Sequence, residues 1–228
     1  DARPRKTEIN RLYFYFSGHG IGMNFSDTAL CMRLWPQLPN WCISGLAYKN
    51  GIINKGVFDE ILFFFDCCRD VNILVNGRDP GFDGKTKVGD RIPKILLCHS
   101  TSYGKVSYEI PTDNNSKRGA FTSFLLESLS GEADQDHDGV ITAYELKTHT
   151  EKHFESFAAR HQKFQKAQID TEAGGDAIVI CKLSSNTVAH NCEINFLSDG
   201  DITLYDPNIN EIRRAPVKTG DVWKLQLA

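Results

Sequence analysis

The sequence predicts an α/β protein: a three-layer α/β/α sandwich on a mainly parallel sheet, followed by a small C-terminal antiparallel β unit. Three observations carry this. Short runs that are apolar on both faces, Ile61-Leu62-Phe63-Phe64-Phe65 above all, read as strands buried between covering helices. Segments with helical periodicity alternate with these runs. From about Val188 the pattern changes to period-two alternation, which marks hairpins. The boundary falls near residue 187, giving a domain over 1–187 and a β-rich appendage over 188–228.

Taken in order, Leu12 to Phe16 (LYFYF) is an aromatic strand-forming run that stops at Ser17-Gly18-His19-Gly20, so a strand delivers a histidine at its tip. Asp27 to Tyr48 is mixed, with Pro36 and Pro39; its pattern is compatible with a short amphipathic piece and resolves no element. Val57 to Phe65 builds into the central strand and ends at Asp66-Cys67-Cys68-Arg69-Asp70. Residues 74–94 carry Gly77, Pro80, Gly81, Gly84 and Gly89 among charges and read as a loop. Ile95 to Cys98 is a third short buried strand. Gly119 to Leu129 reads as a helix with Phe121, Leu125, Leu126 and Leu129 on one face, and Ala143 to Gln168 as a longer, largely polar one. Gly174-Gly175 breaks before Ala177 to Cys181, a fourth buried strand. The last segment alternates through Ile194 and Phe196, turns at Asp199-Gly200, and resumes at Ile202 and Leu204 and again from Val222.

Composition narrows the function. With 228 residues, 41% hydrophobic and 24% charged, the chain is neither disordered, collagen-like nor a coiled coil. No apolar run approaches the roughly 20 residues that a membrane-spanning helix needs. A net charge of -3 leaves no basic surplus for phosphates, so nucleic acid is not expected as a partner, nor is a membrane. Asp1 to Asn10 is polar without the apolar core of a secretory signal, and the chain reads as a fragment or a processed product. Seven cysteines, an odd number with several inside apolar runs, read as reduced thiols of a cytoplasmic protein.

The chemistry lies where strands stop. The strand C-termini of an open parallel sheet line one crevice, so His19 and Cys68 are brought to the same place. A thiol attacks an acyl carbon as thiolate, and a neighbouring imidazole generates that thiolate and then protonates the leaving amine. Adjacent side chains at a strand end point to opposite sides, so only one of Cys67 and Cys68 faces the histidine. A zinc site at this pair fails for lack of spacing, and a thioredoxin-like site for lack of Cys-x-x-Cys.

Phe14-Tyr15-Phe16-Ser17-Gly18-His19-Gly20 with Phe65-Asp66-Cys67-Cys68-Arg69-Asp70 resembles the two catalytic signatures of the caspase-like cysteine peptidases, particularly their bacterial and metacaspase-like branch. The separation from His19 to Cys68 agrees with the spacing of about 50 residues known for caspases. Lys105-Val106-Ser107-Tyr108-Glu109 and Gly119-Ala120-Phe121-Thr122 resemble the substrate-facing loop and the helix start that follow, so the likeness covers roughly residues 11–182. It implies the caspase fold, Cys68 as nucleophile, His19 as general base and acid, and an oxyanion held by the N–H groups of Gly20 and Cys68. It also implies substrate contacts at Asp66, Ser17 and Tyr108. Asp66 points to the same face as Cys68 and is expected as an anion at the crevice mouth that selects Arg or Lys before the scissile bond, with Arg favoured for its bidentate fit. Arg69-Asp70 departs from the His-Ser-Gly of many metacaspases. At least one strand and one helix are expected before the histidine strand, either cut off and retained noncovalently as an N-terminal fragment of the same precursor, or lost. Proteolytic processing is therefore the expected activation, and Lys117-Arg118 offers a place for the enzyme to cut itself. A role in bacterial cell suicide or anti-phage defence is implied by the resemblance alone.

A second constellation, Asp134-Gln135-Asp136-His137-Asp138-Gly139-Val140-Ile141-Thr142-Ala143-Tyr144-Glu145, satisfies every position of the Asp-x-Asp-x-Asp-Gly-x5-Glu calcium loop. The expected ligands are Asp134, Asp136, Asp138, the Val140 carbonyl, Thr142 through water, and bidentate Glu145. A single loop argues for a structural Ca2+ rather than a sensor. The plain alternative is an acidic turn that orders without metal. For the chain as a whole, the rival to a peptidase is a catalytically inactive caspase-fold protein that binds calcium and serves as a regulatory scaffold.

Overall fold

The computed structural model describes residues 9–35, 41–71, 75, 77–79, 81, 89–112, 116–183, 192–205 and 211–225. The chain forms two compact units, residues 1–182 and 183–228. The strands of the first unit are β1 (Arg11–Gly18), β2 (Gly20–Gly22), β3 (Thr28–Cys31), β4 (Cys42–Ser44), β5 (Glu60–Cys67), β6 (Gly77–Arg78), β7 (Lys94–His99), β8 (Glu109–Pro111), β9 (Lys117–Gly119), β10 (Val140–Thr142), β11 (Gln168–Glu172) and β12 (Val179–Lys182). Its helices are α1 (Gly45–Lys55), α2 (Ala120–Glu127) and α3 (Ala143–Arg160).

The central sheet has the order β1-β5-β7-β11. β1, β5 and β7 run parallel, and β11 closes the far side antiparallel to β7. All eight residues of β5 are buried, as two-sided apolarity predicts. One face gathers Ile61, Phe63, Phe65 and Ile95 with Leu12, Phe14, Phe16 and, from α1, Ile52 and Ile53. On the opposite face Tyr15 and Asp66 reach Thr122 of α2, and α2 packs on α3 through Phe121 against Phe154 and Phe124 against Phe157. Helices thus cover both faces, and the three-layer α/β sandwich stands. A smaller sheet, β2-β3-β4-β6, continues from the histidine end of β1. Among the described residues no helix is long and apolar enough to cross a membrane.

Several boundaries differ from expectation. The long helix stops at Arg160 instead of continuing to Gln168, because Gln162 takes a left-handed φ of 59° and the chain then adds β11 to the free edge of β7. Backbone pairing to an open sheet edge wins over a weak helical pattern there, and only Ile169 of β11 is buried. The segment expected as a fourth buried strand forms Val179–Lys182, of which only Ile180 is buried, and it pairs with β10 rather than with the central sheet. α1 was hidden in a mixed, glycine-containing stretch; local chemistry holds it, with the Ser44 hydroxyl accepting the Ala47 N–H at 2.9 Å and Gly56 closing it at a left-handed φ of 64°. Of the expected 74–94 loop, Gly77–Arg78 form β6 and Lys94 opens β7, while 74, 76, 80 and 82–88, like 184–191 at the start of the C-terminal unit, lie outside the described residues.

The second unit holds two antiparallel ladders, β13 (Cys192–Asn195) with β16 (Val222–Leu225) and β14 (Gly200–Tyr205) with β15 (Glu211–Val217). Among the described residues, Trp223 and Val217 are its buried hydrophobic side chains, with Phe196 edge-on to Trp223 at 5.0 Å.

The contact between α2 and α3 contains a buried histidine. His149 stacks on Phe124 at 5.2 Å, and its Nε2 has no partner. Burial, then the charges of His153 and Lys152, pushes its pKa down to about 4. The unfolded chain therefore binds a proton that the folded protein refuses, so stability from this residue is complete above the unfolded pKa of about 6.5 and is lost as pH falls toward 4. The midpoint of thermal unfolding should fall less between pH 7 and pH 4.5 in His149→Leu than in the parent; equal slopes would show that His149 is not held neutral.

Candidate active site

β1 and β5 pair in register, with Ser17 opposite Asp66 and Gly18 opposite Cys67. The next residues along the two chains are His19 and Cys68, and both line one crevice together with Gly20, Ile21, Trp35, Asp70 and Val106. The close approach is enforced by glycine: a Cβ on Gly20 would sit 2.5 Å from both the Cys67 sulfur and the Cys68 carbonyl oxygen. β2 then runs beside Cys68–Asp70, with the Gly22 N–H donating to the Asp70 carbonyl at 2.9 Å. From the other side the Cys31 N–H donates to the His19 carbonyl at 2.9 Å. That bond makes Gly20 and Leu30 a non-hydrogen-bonded pair of the β2 and β3 ladder, so the Gly20 N–H faces away from β3, toward the cysteine segment.

The two adjacent thiols are in different surroundings. Cys67 is buried with the α1-side core, and burial pushes its pKa up, with the charges of Asp66 and Cys68 adding to the effect. Cys68 is half-buried; its sulfur accepts the Ser107 N–H at 3.2 Å, and its thiol donates to the Ser107 carbonyl at 3.6 Å. The Trp35 ring stands 6.2 Å from the His19 ring. His99 is elsewhere: it is buried against Phe65, and burial with the charges of Arg69 and Lys49 pushes its pKa down to about 3.

Asp66 is not the open anion expected at the crevice mouth. It is 4% exposed, with Oδ1 accepting the Ser107 hydroxyl at 3.1 Å and Oδ2 accepting the Thr122 N–H at 3.1 Å and the Thr122 hydroxyl. The physical reason is the helix above it. The N-cap of α2, Gly119, has no side chain to cap it, and Thr122 is the third residue of the helix, so Asp66 caps α2 from the neighbouring strand. The cover is tight, since a Cβ on Gly119 would fall 1.9 Å from Asp66 Oδ2. Arg69 does not neutralise the carboxylate: its buried guanidinium donates to the Phe25 carbonyl at 2.7 Å and to Gln168 Oε1 at 3.0 Å.

Ser17 is exposed at the end of β1, and Tyr108 is half-buried under Lys163, whose Nζ lies 5.1 Å from its ring; neither lines the crevice. Sequence reading missed the residues that hold the site together. Ser107 joins Cys68 to Asp66, and the buried Gln165 amide donates to Ser107 Oγ at 3.1 Å and to the Ser100 carbonyl at 2.9 Å. Ser107 and Thr122 stood in segments singled out by resemblance, but Gln165 fell inside the stretch expected to be helix and carried no signal.

The acidic loop lies apart from the crevice lining, at the turn into α3. One ligand oxygen from each of Asp134, Asp136 and Asp138 falls within 4.8 Å of the others, the only such cluster among the described residues. Thr142 and Glu145 form a capping box at the start of α3, and Val140 and Thr142 bound β10.

No curated protein matches the chain. A family model described as the caspase domain matches residues 4–174, a span that takes in β1, β5, the crevice and both covering layers. The chain belongs to the caspase-domain family of cysteine peptidases.

Proposed function

We propose that the protein is a cysteine endopeptidase that cuts after Arg or Lys, with Cys68 as nucleophile and His19 as general base and acid. The observation that carries this reading is that His19 and Cys68 leave adjacent, in-register parallel strands and line one crevice, while Cys67 faces the core. The Cys68 sulfur adds to the scissile carbonyl carbon as its proton passes to His19, and the resulting oxyanion takes the N–H groups of Gly20 and Cys68. Collapse breaks the C–N bond as the imidazolium gives its proton to the departing amine. Water, deprotonated by His19, then adds to the thioester, and collapse releases the carboxylate product and the thiol. The family implies protein or peptide substrates.

The preference for a basic residue rests on Asp66, which no cation among the described residues pairs with. Its Oδ2 is committed to α2, but Oδ1 holds only the Ser107 hydroxyl, a neutral donor that a guanidinium outcompetes. Access requires Gly119 to move off the carboxylate. Gly119 ends β9, whose Lys117 and Arg118 are exposed, so a cut after Arg118 frees the segment that covers Asp66. This gives proteolytic activation a physical form.

Three outcomes are expected. A fluorogenic peptide ending in Arg should be cleaved, Cys68→Ala should remove turnover by at least about 10³-fold, and Cys67→Ala should leave it within about fivefold. Folded protein inactive on both Arg and Lys peptides would favour a scaffold that kept the fold without catalysis. Asp66→Asn should lower kcat/KM for the Arg peptide by about 10²-fold while changing that for the isosteric citrulline peptide little; equal losses on both would assign Asp66 to capping alone. Intact mass after prolonged incubation should show a break after Lys117 or Arg118 in the parent and none in Cys68→Ala; the same break in both would point to a contaminating protease.

A further inference from the structure

The loop before α3 offers a second site that peptide hydrolysis does not use. Asp134 is 7% exposed, and its Oδ2 accepts the Gly139 N–H at 3.0 Å, yet its Oδ1 is buried with no hydrogen-bond partner among the described residues. A buried carboxylate oxygen that lacks a donor costs free energy unless a cation completes it. The oxygens of Asp136 and Asp138 stand within the same 4.8 Å cluster, and three carboxylates this close repel one another in the absence of positive charge. No Lys, Arg or His among the described residues forms an ion pair with any of them.

The rest of the loop completes an oxygen cage. Gly139 takes a left-handed φ of 79° at the sharp turn, Val140 presents a carbonyl at position seven, and Thr142 and Glu145 fall at positions nine and twelve. Glu145 is buried, and its Oε1 is held only by a 3.3 Å bond from the Gln135 N–H, so that oxygen is available to turn inward. A loop of this kind usually leans on a second copy. Here β10 pairs instead with β12, Ile141 opposite Cys181, and Ile141 is fully buried. The peptidase domain itself supplies the support that a partner loop would give.

We propose that Asp134–Glu145 binds one calcium ion through the carboxylates of Asp134, Asp136, Asp138 and Glu145, the Val140 carbonyl, and Thr142 by way of water. An all-oxygen donor set selects a hard cation, and up to seven flexible ligands suit calcium over magnesium, which demands a tighter octahedron. The ion is structural: it neutralises the turn that joins α2 to α3 and gives Asp134 Oδ1 its missing partner.

The test titrates CaCl2, and MgCl2 in parallel, into the full chain after chelator treatment, read by calorimetry and by thermal unfolding. Calcium should bind at one ion per chain and raise Tm by roughly 5–10 °C at a hundredfold excess over Kd. Asp136→Ala, an exposed position that leaves the fold intact, and Glu145→Gln should each weaken binding by at least about tenfold. Absence of heat and of a Tm shift up to about 10 mM CaCl2, undiminished binding in Asp136→Ala, or an equal response to magnesium would overturn the proposal. None of these readouts depends on turnover, so they stand whether or not the crevice hydrolyses peptides.

Discussion

The pairing of β1 with β5 is the constraint on which the site rests. The side-chain period of a strand is two, so a slip of one residue in this register exchanges the faces. Cys67 would then turn toward the histidine and Cys68 into the apolar layer under α1, with Asp66 moved off the first turn of α2. Two-sided burial of β5 forbids the slip, because each face carries its own matched set: Ile61, Phe63 and Phe65 toward α1, and Asp66 toward Thr122. The glycine at position 20 adds a second lock, since only a residue without Cβ lets the chain after His19 lie against the Cys67–Cys68 peptide. That His19 and Cys68 line one crevice is a by-product of strand register.

Asp66 couples that register to the helical layer. A carboxylate buried to this degree is stable only if its oxygens are satisfied, and they are, by one backbone and two hydroxyl donors drawn from two segments far along the chain. The same group thereby serves as the missing cap of α2 and, through Ser107, touches the donor that holds the Cys68 sulfur. Those partners lie far along the chain, which is why its strand position alone placed it too near solvent.

What was legible in the sequence was local or periodic. LYFYF and ILFFF announce strands because they are short aromatic or β-branched runs that stop at turn-forming or polar residues, and the acidic loop is legible because its ligand positions fall within twelve consecutive residues. What was not legible depends on distant partners. α1 contains two glycines and a weak apolar stripe, and it is secured by a cap at Ser44 that itself donates to Asp27. β11 exists because β7 has a free edge, a fact of the sheet and not of the segment. The burial of Asp66 depends on Ser107 and Thr122, 41 and 56 residues away, and nothing in the triplet Asp66-Cys67-Cys68 foretells it.

Arg69 carries a mechanical consequence. It follows Cys68 but turns inward, 1% exposed, with its charge resting on a carbonyl and an amide oxygen, while its own backbone is tied on both sides to Gly104 and Lys105. Drawing the cysteine corner outward would strip a buried guanidinium of its oxygens, a displacement that such a residue resists strongly. The crevice therefore has an unyielding floor: whatever enters it meets a sulfur whose position is already decided.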